Sequence, residues 1–209
     1  MTFHPKSITK QQRSLLGRLG KLAAQRDFYL AGGTAVALHL GHRMSVDLDW
    51  FVPKKWADPP LWTKQLQDAG FELREVRTAQ GTFHGTINGV KNSFFEYPYP
   101  LLSSLVVWDE TGCALAALPD LASMKLMAIA QRGSRKDFID LYALGSSGIP
   151  LKSMLEWYQE KYSESELSLL FAALTYFDDA EQQPMPKMLS RVSWKEMRKT
   201  ITSWVKKLI

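Results

Sequence analysis

A single cysteine, Cys113, stands among the 209 residues. One thiol excludes an internal disulfide and a zinc site built on cysteines. No apolar run approaches the ~18–20 residues that a bilayer-spanning helix needs, and the opening MTFHPKSITKQQR lacks the apolar segment of a signal peptide. These absences predict a cytoplasmic protein with no membrane partner. No stretch of Lys or Arg exceeds two residues, so any basic surface must be assembled by folding rather than carried on a tail. There is no internal repeat and no low-complexity segment. What remains, 45% hydrophobic and 22% charged with a net charge of +5, is ordinary for a globular chain long enough to bury one large core or two small ones. The positive balance fits a nucleotide or nucleic-acid partner and fits a mildly basic protein equally well.

The informative stretch is LAGGTAVALHLGHRMSVDLDWFV, residues 30–52. Phe28 to Ala31 is a short apolar run that stops at Gly32-Gly33, as a buried strand would. A helix from Thr34 to about Leu40 follows, with Thr34 as its cap and Gly41 closing it. Val46 to Val52 then alternates like a strand. Side chains two apart on a strand share a face, so Asp47 and Asp49 stand roughly 6.5–7 Å apart at the backbone, with Val46, Leu48 and Trp50 on the core side. Two carboxylates that close repel unless a cation sits between them. Hard oxygen ligands in this number suit Mg²⁺ (or Mn²⁺), which completes its shell with water and substrate phosphates. Gly32, Gly33 and Thr34 present bare amides at a helix N-terminus, a place that favours phosphate. The pairing points to phosphoryl or nucleotidyl transfer.

GGTAVALHLGHRMSVDLDWF closely resembles the signature of nucleotidyltransferases related to the AbiEii/AbiGii toxins, within the DNA polymerase β-like superfamily. LASMKLMAIAQRGSRKDFIDLYAL, residues 121–144, resembles the downstream motifs of that family. The motifs run in order as GGT, R-x-S-x-D-x-D and K-x(10)-K-D-x-x-D. The resemblance implies an α+β fold: a polymerase β-like core with a mixed, mainly antiparallel sheet flanked by helices, followed by a helical C-terminal portion. It implies transfer of an NMP from an NTP to an acceptor hydroxyl of RNA, tRNA or protein with release of pyrophosphate, and a cognate antitoxin as partner. It also implies a third acid on a strand beside the Asp pair. Glu96 is the only acid on the strand Val90–Glu96, and the interior position falls nearer Asn92 or Ser93.

Lys125, Ile129 and Arg132 share one helical stripe, so both cations could reach a triphosphate; a helix C-terminus would favour them anyway. Arg43 and Ser45 lie just before the Asp pair, where Arg43 could hold a phosphate or orient Asp47. Ser134 and Asp137 form a cap-like start to a helix. Asp140 borders an apolar face and needs a partner, with Arg43, Arg135 or Lys136 as candidates. In the resembling family Lys136, Asp137 and Asp140 belong to the active-site neighbourhood. His39 and His42, at i and i+3 without a third His or a Cys nearby, read as structural.

The remaining pattern predicts a helix over 7–25 with a Thr9/Gln12 capping box, a helix over 61–69, and a meander over 71–79, 82–88 and 90–96. Two short strands, 105–108 and 113–118, come next. From residue 119 the pattern is helical, over 120–131, 134–144, 151–162, 164–176 and 193–208, with a loop at 182–186. The shift places a boundary between a core, 1–118, and a helical portion, 119–209, that packs against it and completes the site. Two other readings use the same residues: a metal-dependent phosphohydrolase, and a catalytically weak nucleotide-binding or interaction protein.

Overall fold

In the computed structural model, which describes residues 2–208, the Thr9/Gln12 capping box is present at the start of helix α1 (Lys10–Ala24). Gln12 N donates to Thr9 Oγ1 at 3.1 Å and Thr9 N donates to Gln12 Oε1 at 2.9 Å, satisfying two amides that a helix start leaves free. The helix begins later than its periodicity suggests, because Pro5–Ser7 forms a separate 3-10 turn. Leu15, Leu16, Leu19 and Ala23 of α1 are buried.

One seven-stranded sheet organises the chain. Its strands are β1 (Tyr29–Ala31), β2 (Asp47–Val52), β3 (Leu73–Ala79), β4 (Thr82–Ile87), β5 (Val90–Glu96), β6 (Val106–Trp108) and β7 (Cys113–Leu115), in the order β3-β4-β5-β2-β1-β7-β6. The β2–β5 and β1–β7 pairs are parallel and the other four are antiparallel, so the sheet is mixed and mainly antiparallel. On β2, Leu48, Trp50 and Val52 are buried, and Asp47, Asp49 and Phe51 take the opposite face. Helix α3 (Pro59–Asp68) covers the first of these faces, where Trp62 meets Phe94 edge-on at 5.2 Å. Asn92, on that same side, accepts the Trp50 indole hydrogen at 3.0 Å. Val46 was expected in the core and is instead 58% exposed. The ladder starts only at Asp47, and just before it the Ser45 amide is spent on Ser7 O.

Helix α2 (Gly32–Leu40) joins β1 to β2 and is closed by Gly41 in the left-handed conformation. The helical part comprises α4 (Leu118–Arg132), α5 (Arg135–Ser146), α6 (Leu151–Tyr162), α7 (Ser168–Thr175), α8 (Asp178–Glu181) and α9 (Trp194–Lys206). Its apolar residues join the core of the sheet half: Leu16, Trp50, Phe138 and Ile201 belong to one continuous buried cluster. Lys161 on α6 meets Asp120 at 2.7 Å with both side chains fully buried, and its ammonium also donates to Pro100 O. That pair ties α6, the start of α4 and the loop after β5 together. Helix α8 did not stand out in the sequence, being a single turn. Beyond it, residues 187–189 run beside 42–44, with Met44 N donating to Lys187 O and Leu189 N donating to His42 O. Among the described residues no helix is long and apolar enough to cross a membrane.

Candidate active site

The turn from β1 into α2 can be made only by glycine. Gly32 has φ +63, and a Cβ there would stand 2.9 Å from Asp49 Oδ2. A Cβ on Gly33 would collide with the Arg43 guanidinium and lie 3.4 Å from Asp140 Oδ2. The glycines therefore let the chain pass close to one site carboxylate and one buried ion cluster. Helix α2 starts at Gly32, with Ala31 as its cap residue, so Thr34 does not cap it. Thr34 lies in the first turn, its hydroxyl 2.7 Å from Ser45 Oγ and against the Asp47 carbonyl. This buried contact fixes the start of β2 relative to α2, which sets where Asp47 and Asp49 emerge.

Across from the aspartates, α4 and α5 supply an ion cluster. Arg43 grips Asp140 with two parallel bonds, Nε to Oδ1 at 2.7 Å and Nη2 to Oδ2 at 2.8 Å, the strong bidentate geometry. Lys125 Nζ lies 2.7 Å from Asp140 Oδ2 and 2.9 Å from Asp137 Oδ1. His42 Nε2 reaches Asp140 Oδ1 at 2.7 Å. Arg132 closes on Asp137 through Nε at 2.9 Å and Nη2 at 3.1 Å, and Ser134 Oγ donates to the same carboxylate at 2.6 Å. Arg43, Lys125, Asp137 and Asp140 are all buried. Of the three partners considered for Asp140, Arg43 is the one found. Arg135 turns away to donate to Ala180 O and Glu181 O, and Lys136 is exposed at the rim.

Burial opposes the charge on Asp140, but Lys125 and Arg43 hold its carboxyl well below the usual range. Burial likewise opposes Asp137, which Lys125, Arg132 and Ser134 bring down to about 2. Lys125, disfavoured by burial, is held above the ordinary lysine value by Asp140 and Asp137. Both aspartates are thus held as anions at neutral pH and keep the cations charged and aligned. Three cations (Arg43, Lys125, Arg132) against two anions leave one net positive charge facing Asp47 and Asp49. Asp49 differs: burial pushes its carboxyl up, Lys125 opposes that, and the neighbouring Asp47 charge adds to it.

Gly33, Arg43, Ser45, Asp47, Asp49, Ser93, Lys125, Arg132, Lys136 and Asp137 line a cleft of about 460 Å³. A second lobe of about 320 Å³ shares Gly33, Asp49, Lys125 and Arg132 with it and is walled by Phe51, Phe95, Tyr97, Met124 and Met127. The structure thus gathers the Gly turn, the Asp pair and the helical cations around one space. Glu96 lines the second lobe but not the cleft around Asp47. Paired with Val52, Glu96 lies on the Trp50 face of the sheet, where its carboxylate accepts the Trp56 amide at 2.7 Å. The residue beside Asp49 on β5 is Ser93, whereas the Glu96 carboxylate is engaged by a loop amide at the strand end. Gln183 of the cleft gave no signal in the sequence, His42 was read as structural without a partner, and the sequence left Asn92 and Ser93 both open. Only the parallel register singles out Ser93, and only the tertiary contact with Asp140 singles out His42.

The sequence matches the model of a family described as nucleotidyl transferase AbiEii toxin, type IV TA system, over residues 14–103 and 95–206. An uncharacterized protein of Aquifex aeolicus (strain VF5) is 38% identical over 180 residues, 85% of this chain and 87% of the relative. Among solved structures, the fold is similar to JHP933 of Helicobacter pylori (TM-score 0.58, 17% identity, 97% of this chain and 93% of that one). It is also similar to MenT4, a nucleotidyltransferase toxin of Mycobacterium tuberculosis (TM-score 0.59, 16% identity, 94% of this chain and 85% of that one). At these identities the two structures speak for the fold, while the family match covers nearly the whole chain. The chain belongs to the AbiEii nucleotidyl transferase toxin family and is a nucleotidyltransferase.

Proposed function

We propose that the enzyme transfers an NMP from an NTP to an acceptor hydroxyl with Mg²⁺ as cofactor, as the toxin of a toxin–antitoxin pair. The observation that carries this reading is the opposition of two hard carboxylates on β2 to a buried, net-positive ion cluster across one cleft. Among the described residues no group of three or more His, Cys, Asp or Glu could hold a metal. Asp47 and Asp49 are the two oxygen donors on offer, which suits Mg²⁺, an ion that binds one or two carboxylates plus substrate phosphates. When bound there, the metal would supply charge neutralisation at the reacting phosphate.

The chain's own residues do the rest. The Gly32–Gly33 amides at the start of α2 receive phosphate oxygens. Arg132, exposed and forked, and Lys125 behind it draw off the charge that builds on the leaving pyrophosphate. Asp137 and Asp140 hold those cations in place before substrate arrives, so little reorganisation is needed at the moment of reaction. Phe51, Phe95, Met124 and Met127 give the second lobe apolar walls suited to the nucleoside. A cognate antitoxin belongs to the same proposal, supported by the toxin–antitoxin family match, and a cytoplasmic location is proposed with it.

Ser93 in the position beside Asp49 supports a second reading, a nucleotide-binding protein with weak turnover, because among the described residues strand pairing puts a hydroxyl, not a third carboxylate, beside Asp49 to take the acceptor's proton. Incubation with each α-labelled NTP, Mg²⁺ and total RNA and protein separates the readings. A labelled macromolecule with pyrophosphate release supports transfer. Free nucleotide alone indicates phosphohydrolysis, and an NTP-dependent thermal shift without product indicates the weak-turnover reading.

A further inference from the structure

A further cavity, of about 280 Å³, shares no lining residue with the cleft or its second lobe. The end of α2, one side of α5, the 188–192 segment and the first turn of α9 enclose it. Its walls are Leu40, Ile139, Tyr142, Met188, Val192 and Met197, and no lysine, arginine, aspartate or glutamate lines it. The volume is nearly twice the roughly 150 Å³ of a cavity that takes one benzene ring. One polar atom of these walls is unmatched. His42 lines the cavity and is only 6% exposed. Its Nε2 is committed to Asp140 Oδ1 at 2.7 Å, whereas its Nδ1 is buried without a partner among the described residues. The hydroxyls of Ser190 and Ser147 are already spent, on His42 O at 3.3 Å and on Leu144 O at 2.7 Å. An unpaired buried nitrogen carries a desolvation cost that a ligand can recover. A hydroxyl matches it in either form of the ring, since its O–H donates to a bare Nδ1 and its oxygen accepts from Nδ1–H. A charged ligand is disfavoured, because the walls hold no counter-charge.

The same histidine joins this cavity to the active site. Asp140, which His42 contacts, also binds Arg43 and Lys125, and both of those cations line the cleft. The 188–192 wall is tied to His42 as well, with Leu189 N and Ser190 N donating to its carbonyl at 2.9 and 3.1 Å. A molecule in the cavity therefore touches α5, the 188–192 segment and His42 together. From there one hydrogen bond leads to the carboxylate that aligns the cations.

We propose that this cavity is an effector site for a small, uncharged aromatic alcohol, a free molecule whose ring fills the apolar walls and whose hydroxyl bonds to His42 Nδ1. Occupancy fixes His42 and, through Asp140, holds Arg43 and Lys125 in place before an NTP arrives, so effector and NTP bind cooperatively. The site itself stands apart from the nucleotidyl-transfer reading; the cooperativity rests on it.

The test titrates 4-ethylphenol and ethylbenzene, which differ by the hydroxyl alone, into the full chain by ligand-observed NMR. The phenol is expected to bind about 5-fold more tightly, the value of one buried hydrogen bond. A143L and V192F fill the cavity from two different walls and should each weaken it at least about 10-fold by removing the space for its contacts; the unfolding midpoint checks that each variant is folded. Saturating 4-ethylphenol should tighten NTP binding about 5-fold in calorimetry, and NTP should tighten 4-ethylphenol by the same factor. A143L should keep the NTP affinity and lose this coupling. No binding of either probe, equal binding of both, or binding that neither variant weakens overturns the site. Binding that leaves NTP affinity unchanged overturns the effector role. N-acetyltyrosinamide carries the same phenol on a peptide; if it binds more tightly than 4-ethylphenol, the cavity takes a tyrosine of a partner protein and the free-ligand proposal falls. If no NTP binds at all, the transfer reading fails while the comparison of the two probes still decides the site.

Discussion

Replacing Asp140 with Asn keeps the shape of the side chain at the centre of the ion cluster and removes its charge. In the wild type that carboxylate is fully buried and is shared by Arg43, Lys125 and His42. Removing one partner of a buried ion cluster leaves uncompensated charge in a poorly solvated place and costs roughly 3–5 kcal/mol. Two contacts soften the loss: Lys125 keeps Asp137 at 2.9 Å, and an amide oxygen can still accept from Arg43. The lower end of that range, about 3 kcal/mol, is therefore expected, or a midpoint lower by roughly 6–12 °C for a chain of this size. Urea unfolding at pH 7 measures it, with an unchanged slope if the change acts on the folded state. The pH dependence provides the sharper check. Asp140 is held well below the ordinary carboxyl value, so its stabilisation is complete above the unfolded pKa of about 3.9 and disappears as pH falls toward its folded value. Wild type and variant should differ most at neutral pH and converge in acid. A difference under about 1 kcal/mol at pH 7, or one that does not narrow on acidification, would refute the idea that this carboxylate holds the cations together.

Asp137, brought to about 2, contributes in the same direction; D137N should cost roughly 2 kcal/mol at pH 7, again narrowing below about pH 4 in urea titrations. Asp49→Asn should lower kcat for label transfer by at least about 10³-fold, the several kcal/mol a metal supplies at a reacting phosphate, and should abolish the Mg²⁺-dependent part of the NTP thermal shift. Gly33→Ala drives a methyl into the Arg43 guanidinium and should cost about 1–3 kcal/mol, with weaker NTP binding by calorimetry. Glu96→Ala should leave kcat within about two-fold while destabilising the chain by roughly 1–2 kcal/mol, the value of a carboxylate bond to the Trp56 amide; a large kcat loss would return Glu96 to the site.

Much of the scaffold was legible because it follows from local rules. The Thr9/Gln12 capping box, the left-handed Gly41 and the alternation of β2 each depend on residues a few positions apart. The meander showed for the same reason, its strands being bounded by Gly81 and Gly89, both with positive φ. Val46 failed the alternation because its neighbours are held by Ser7 and Lys187, far away in sequence. Glu96 was singled out because it is the one acid on its strand. Which face a strand-end residue takes is decided by pairing with β2, and a single-strand pattern does not contain that pairing.

By itself the sequence determined the family, the mixed sheet with its helical continuation, and the side-by-side placement of Asp47 and Asp49, since a period of two needs no partner strand. Only the tertiary structure decided what surrounds them. Asp140 is separated by 97 positions from Arg43 and by 98 from His42. Ser93 faces Asp49 only through the parallel register, and Lys91, His84 and Arg77 share that face only once three strands are laid edge to edge. Those relations are distances across folded space, and the order of residues along a chain encodes them only through the packing that folding completes.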